Sequence, residues 1–405
     1  VNAISMRWTV PAALGTAVVA LAGAAWLGYQ SEPAQDGKPV VSALPALPAA
    51  APAKLSIVDG ATGVTPDTPL TLTAPAGERL GSVVVSAQAS VVGGTFSPDR
   101  RTWTDTGHFK FDTAYVVSAV TETANADAIG MQHSGFTTGA APATTIGFDQ
   151  IAPVDGSLVG VGQPVVLSFS HPVVNRAAVE SSLQVSSTPA QAGHWSWLSA
   201  YRLDYRPQAY WQPGTKVSVQ MALNGVDAGG GRFGAADRTL NFTVGRDQET
   251  VVDLAADDAV VYRDGKEFGS FPVTGGMPGL DTWGGTFAVI DKASDVHMDS
   301  RTAGLGDEYD IPDVKWDVHI TYSGTYIHAA PWSVGEQGVR NVSHGCIGTS
   351  NGHAEWYFDN TLPGDIVHVT NSARTGAPGN GYNDWQTSWP QWLAGSAVPI
   401  VPAVQ

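Results

Sequence analysis

Val58-Asp59-Gly60, followed by Pro69-Leu70-Thr71-Leu72-Thr73, has a second copy in the chain. It returns roughly 95 residues later as Val154-Asp155-Gly156, then Pro164-Val165-Val166-Leu167-Ser168-Phe169. Apolar and polar side chains alternate with the period of a β-strand, and Gly and Pro punctuate the runs as turns do. Each copy continues through tryptophan, Trp103 in the first and Trp195 and Trp197 in the second. A late alternating run follows, Tyr115-Val116-Val117-Ser118 or Lys216-Val217-Ser218-Val219. Each closes on Phe-Thr-x-Gly, at Phe136 to Gly139 and at Phe242 to Gly245. Period-2 runs over roughly 100 residues describe an immunoglobulin-like β-sandwich. The repeat predicts two in tandem, over 55–140 and 146–247. Neither gathers an acid, a base and a nucleophile, so both read as spacers rather than binding sites.

Composition agrees with a mainly β chain. Of 405 residues, 43% are hydrophobic and only 14% charged, with 46 Gly and 26 Pro. That is too few charges and too many turn residues for a helical or disordered protein. The formal charge of −16 argues against nucleic acid, whose phosphates need a surplus of Lys and Arg.

Outward from the repeat, the N-terminus reads as an export signal. Arg7 is the only charge before Glu32, and residues 8–31 (WTVPAALGTAVVALAGAAWLGYQS) are apolar enough to span a membrane. They also contain Ala22-Gly23-Ala24, a small-x-small site that a signal peptidase cuts. Residues 1–31 are therefore expected to be a signal peptide or a membrane anchor. The Pro/Ala tract 32–54 is expected to be an extended linker. The implied location is outside the cytoplasm, in the periplasm or cell wall.

After residue 247 the texture changes. Val251 to Leu254 and Val260 to Tyr262 read as strands, and Asp264-Gly265 is a favoured two-residue hairpin turn. Trp316 to Tyr322 alternates, Ser323-Gly324 turns, and Thr325-Tyr326-Ile327-His328 returns. One short helix is expected at His353 to Asp359, with Ser350 or Asn351 as N-cap. These features define a β-rich third domain over 248–372. A tryptophan-rich extension, 373–405, follows. Its Trp385, Trp389 and Trp392 recur at about helical spacing and are expected to pack against that domain.

The chain has a single cysteine, Cys346, within Ser343-His344-Gly345-Cys346. A lone thiol in an exported chain forms no internal disulfide, and a neighbouring imidazole activates it by taking its proton. Gly345 lets a substrate approach the backbone, and the N–H groups of Gly345 and Cys346 are candidates to face an oxyanion. A following helix N-terminus aimed at the sulfur would add a favourable dipole. Two histidines compete for the base. His344 lies two residues before the thiol; His328 sits on a strand, and strand-borne bases are held more rigidly. The residues alone leave that choice open.

The stretch HAAPWSVGEQGVRNVSHGC, His328 to Cys346, resembles the signature of the L,D-transpeptidase (YkuD-type) catalytic domain. Met298-Asp299-Ser300-Arg301, Ala330-Pro331-Trp332-Ser333 and the tail from Asp384-Trp385 to Trp392-Leu393-Ala394-Gly395 are similar to the mycobacterial-type enzymes. Those also carry two immunoglobulin-like modules behind an N-terminal membrane segment. The resemblance implies Cys346 as acylated nucleophile, His328 as general base, His344 as a supporting residue, and main-chain N–H groups around Gly345 as oxyanion hole. Tyr309, Trp316, Trp332, Ser343 and Met298 would line the substrate cleft.

The implied reaction forms 3→3 cross-links between peptidoglycan stem peptides with release of D-alanine, and carbapenems are the expected covalent inhibitors. No metal or organic cofactor is implied. Three departures stand out: Gly348 where the family has asparagine, Trp283 to Phe287 where it has Thr-Pro before Gly-Thr, and Ala329 where relatives have serine. Water in place of the acceptor amine would make the enzyme an L,D-carboxypeptidase, and a decayed site would leave a wall-binding protein. A zinc site from His328, His344, Cys346 and His353 lacks the usual paired spacing. A sortase needs an arginine soon after its cysteine, and an NlpC/P60-type peptidase has the reverse Cys/His order.

Overall fold

The computed structural model describes residues 51–398, except 89, 124, 126 and 305. The expected signal or anchor, and most of the expected linker, lie outside these residues. No helix among the described residues is long and apolar enough to cross a membrane. The end of the linker tract differs from expectation. Ala53 is buried, and Lys54–Leu55 pairs antiparallel with Leu72 and Thr73 as an edge strand of the first sandwich.

The chain is mainly β. The first sandwich has a four-stranded and a five-stranded sheet, closed over Leu70, Leu72, Trp103, Phe109, Tyr115 and Phe136. The second has two four-stranded sheets over Val165, Leu167, Phe169, Leu203, Trp211 and Phe242. The repeated Val-Asp-Gly does the same work in both. Asp59 Oδ1 accepts the Gly135 N–H at 2.7 Å, and Asp155 Oδ1 accepts that of Asn241 at 2.8 Å. The following glycines take φ +73° and +76° and donate to the same two residues. Each triplet is a turn pinned to its module's closing strand. A short helix in the second sandwich, Arg176–Ser181, capped by Asn175, was not foreshadowed by periodicity.

Elements of the third domain are numbered from β1. Strands β1 (Gln248–Asp253), β2 (Asp258–Arg263), β3 (Lys266–Pro272) and β4 (Trp283–Ala288) join one sheet; β5 (Asp291–Asp299), β6 (Asp310–Thr321), β7 (Thr325–Ala329) and β8 (Ile347–Thr349) form another. Helix α1 (Asn351–Asn360) follows, then β9 (Ile366–Thr370) and β10 (Arg374–Thr375). The sheets run β3-β2-β1-β9-β4-β10 and β5-β6-β7-β8. Their facing sides share one core: Val252, Val261, Phe271 and Phe287 from the first sheet, Val318, Ile320, Ile327 and Ile347 from the second, and Tyr357 of α1. The β2–β3 hairpin turns at Asp264 (φ 49°) and Gly265 (φ 71°), the two left-handed positions that a type I′ turn requires. Ser350 caps α1, its Oγ accepting the His353 N–H.

The second sandwich and the third domain are not separate bodies. Ala288, Ile290, Ile366 and Tyr382 belong to the sandwich's own core cluster. Gly162 lies so close to Ile366 that any side chain there would strike its Cδ1. The C-terminal tryptophans correct the expectation, because they pack chiefly on this sandwich. Trp392, in α2 (Trp389–Ala394), is fully buried and donates its Nε1–H to the His194 carbonyl at 2.8 Å. Trp385 donates to the Gly162 carbonyl at 2.7 Å. The Arg206 guanidinium lies 4.8, 5.3 and 4.6 Å from the rings of Trp385, Trp389 and Trp392. The tail is a strap across both domains, with Gln386 reaching the Thr286 carbonyl on the far side.

Candidate active site

Strands β7 and β8 run parallel, with Ile327 beside Ile347 and His328 beside Gly348. Successive side chains on a strand point to opposite faces. Ile327 and Ile347 enter the core, so His328 and Cys346 emerge together on the other face. Both line a cavity of about 210 Å³ with Thr274, Met298, Tyr309, Trp332, Ser343 and His344. Ile311, Ala330, Ser333, Val342 and Gly348 complete the wall.

Cys346 is partly exposed in this cleft. Its thiol lies 3.4 Å from the Gly324 carbonyl, in the β6–β7 turn. Burial of the sulfur pushes the thiol up to about 11. His328 is buried, and its Nδ1 sits 2.9 Å from the Ala329 carbonyl. A carbonyl only accepts, so Nδ1 carries the proton and Nε2 keeps its lone pair. Burial pushes this imidazole down to about 4. Burial thus favours the neutral thiol and the neutral imidazole over a charged pair. Because a main-chain carbonyl orients the ring, the alanine at 329 costs nothing.

Ser343 does its work within the loop. Its Oγ donates to the Cys346 carbonyl at 2.6 Å and accepts the Gly345 N–H at 3.0 Å. This corrects one expectation, since the Gly345 N–H is already engaged and is not a free oxyanion donor. Gly345 sits at φ +125°, where a side chain would be strained. Asn341 holds the same loop, accepting from Gly275 N at 2.5 Å and donating to Leu254 O at 2.7 Å.

Two further expectations fail on geometry. Trp316 does not line the cleft; its ring packs 5.5 Å from Phe358 of α1, because it shares the core-side face of β6 with Val318 and Ile320. The N-terminus of α1 does not follow the sulfur directly, because β8 intervenes and the cap is Ser350.

Met298, Tyr309 and Trp332 line the same cavity as Cys346 and His328. Tyr309 lies 5.1 Å from the His344 ring, and Trp332, more than half exposed, 6.0 Å from that of His328. His353 instead packs 5.8 Å from Phe271, away from the thiol.

Gly348 has a packing reason. A Cβ there would stand 2.8 Å from that of Ala330 and 3.3 Å from Thr274 Cγ2. The loop keeps its order through backbone instead, Thr274 and Gly348 exchanging two 2.9 Å hydrogen bonds. Trp283 donates its Nε1–H to Ser323 Oγ at 2.8 Å, bracing the turn that touches Cys346. Thr274, Ile311 and Gly324 were not read as site residues in the sequence, because long-range pairing alone brings them here.

Residues 247–369 match the L,D-transpeptidase catalytic domain, and residues 61–227 match the bacterial Ig domain. L,D-transpeptidase 2 of Mycobacterium tuberculosis (strain CDC 1551 / Oshkosh) is 34% identical over 353 residues, covering 84% of each chain. The chain belongs to the L,D-transpeptidase family. L,D-transpeptidase 5 of M. tuberculosis (strain ATCC 25618 / H37Rv) is 34% identical over 84% of this chain and 76% of its own length. A solved structure of LD transpeptidase LdtMt1 in complex with imipenem aligns at 36% identity over 56% of this chain and 100% of its own, with a TM-score of 0.48. The L,D-transpeptidase fold here is an Ig-like region followed by the catalytic domain, and the family's enzymes act in peptidoglycan cross-linking.

Proposed function

We propose that this L,D-transpeptidase forms 3→3 cross-links through a Cys346 thioester. The observation that carries the reading is the pairing in one cleft of the chain's only thiol with an imidazole whose Nε2 has no hydrogen-bond partner among the described residues. In the first step the thiol proton passes to His328 Nε2 and sulfur bonds to the carbonyl carbon of the third stem residue. The C–N bond to the terminal D-alanine breaks, and its nitrogen takes the proton from the imidazolium. In the second step the side-chain amine of a neighbouring stem attacks the thioester and gives a proton to Nε2. The C–S bond breaks, and sulfur leaves as the thiol.

His344 supports the site from beside Tyr309, and Trp332, Tyr309 and Met298 hold the donor peptide. With the Gly345 N–H engaged by Ser343, the Cys346 N–H is the first candidate for the oxyanion. The same sulfur is the expected target of carbapenems, and the apolar stretch in residues 1–31 supports a location outside the cytoplasm, anchored or secreted.

Incubation with a disaccharide-tetrapeptide tests transfer against hydrolysis. Cross-linked dimer with free D-alanine supports the proposal; tripeptide alone supports the carboxypeptidase; unchanged substrate supports a wall-binding protein.

A further inference from the structure

Strand β6 carries a group that the reaction above does not use. Trp316, Val318 and Ile320 face the core, so Asp317 and His319 face the side from which His328 and Cys346 emerge. His319 stands opposite Tyr326, and their rings stack at 4.4 Å. Val318 stands opposite Ile327, so the same antiparallel register sets Asp317 beside His328. Asp317 is fully buried, and neither carboxylate oxygen has a hydrogen-bond partner among the described residues. An unpartnered buried carboxyl is costly, and such groups concentrate where chemistry uses them.

The titratable groups around it are few. Asp295 comes from β5 and Lys315 from β6 itself; Lys315 is shared between Asp295 at 3.9 Å and Asp313 at 3.7 Å. His319 lies two residues along β6, Tyr326 and His328 are on β7, and Cys346 immediately precedes β8. None of these is a fixed cation held against the carboxyl. The cation it meets is the imidazolium formed during the reaction.

We propose that Asp317 is a positioning residue for the Cys346–His328 pair, its carboxylate holding the imidazolium that appears when the thiol proton moves to Nε2. The inference rests on the reading of Cys346 and His328 as nucleophile and base. Adjacent strands lie roughly 5 Å apart, so Asp317 is about one spacing from His328 and two from Cys346. Coulomb attraction to the imidazolium therefore outweighs repulsion of the thiolate. The carboxylate opposes a lone thiolate, as its raising effect on the thiol indicates, yet favours the ion pair. Burial, then Asp295, pushes Asp317 up to about 7, so it changes charge near neutrality.

The test is the rate of Cys346 acylation by imipenem, followed by intact mass from about pH 5.5 to about pH 8.5, for the native chain and Asp317→Asn. The native rate should step up through about pH 7. The variant should lose that step, falling about tenfold behind at the alkaline end and matching at the acid end. A purely structural role would lower the rate equally at every pH, and that result overturns the proposal, as does an unchanged profile in Asp317→Asn. Should the variant fail to fold, a native profile without a step near pH 7 overturns it equally. Absence of any native adduct would instead remove the nucleophile itself, and the inference with it.

Discussion

The two sandwiches share a turn, a closing strand and a tandem origin in the sequence, yet they stand in different relations to the catalytic domain. The first keeps its own core and meets the second through a small border: Lys110 with Asp237 at 2.6 Å, His108 with the Ala222 carbonyl at 3.1 Å, and Phe111 edge-on to Phe233 at 5.5 Å. The second has lost its independence. Ile366 and Tyr382 fill its core, Arg246 bonds Asp365 at 3.0 Å, and the C-terminal strap closes over it. Two copies of one fold thus serve as spacer and as foundation. What separates them is which apolar face the neighbouring domain completes.

The largest test of that contrast is truncation. A chain beginning near residue 246 would expose Ile366, Tyr382 and Trp392. Circular dichroism and thermal melting should show a catalytic domain that no longer folds cooperatively. A folded, imipenem-reactive fragment would break the comparison.

Next in size, Trp392→Ala should destabilise the unit of second sandwich and catalytic domain by about 3–5 kcal/mol, the usual cost of emptying a buried tryptophan site. Trp103→Ala in the first sandwich should cost its own module a similar amount while leaving acylation of Cys346 unchanged. Denaturant melts read beside adduct formation check both.

The seam is also sensitive to pH. Burial raises Asp365 to about 7 and raises Asp204 and Asp384 in the same direction. Between about pH 4 and pH 7 the folded seam holds protons that the unfolded chain releases, so its stability is full at low pH and falls as pH rises through that window. Calorimetry should show the transition of the joined unit moving down by a few degrees from about pH 5 to about pH 8. The first sandwich, where among the described carboxyls burial raises Asp105 and the His108 imidazole is lowered instead, should move less. Smallest of all, a chain starting near residue 141 should keep the melting temperature of the joined unit and its rate with imipenem.

Much of this was legible in the residues. Local patterns carried the sandwiches, the Asp264-Gly265 hairpin and the cap at Ser350, because each is a short-range preference written in consecutive side chains. The spacing of His328 and Ser343-His344-Gly345-Cys346 carried the site through its family resemblance. Errors arose where a decision depended on distant partners. Trp316 looked like a cleft residue until β6 turned it toward Phe358. Gly345 looked like an oxyanion donor until Ser343 claimed its N–H. The tryptophan tail misled on both counts: Trp385 sits in a separate turn from Trp389 and Trp392, which share α2, and nothing in its sequence names Arg206 or His194 as partners. Asp317 escaped notice because only strand register sets it beside His328.

Treatment of the native chain and Cys346→Ala with imipenem, read by intact mass and peptide mapping, probes the nucleophile with nothing else intervening. One adduct on the native chain, mapped to the peptide containing residue 346 and missing from the variant, is the predicted result. A native chain that stays unmodified, or an adduct that survives in Cys346→Ala, would contradict it.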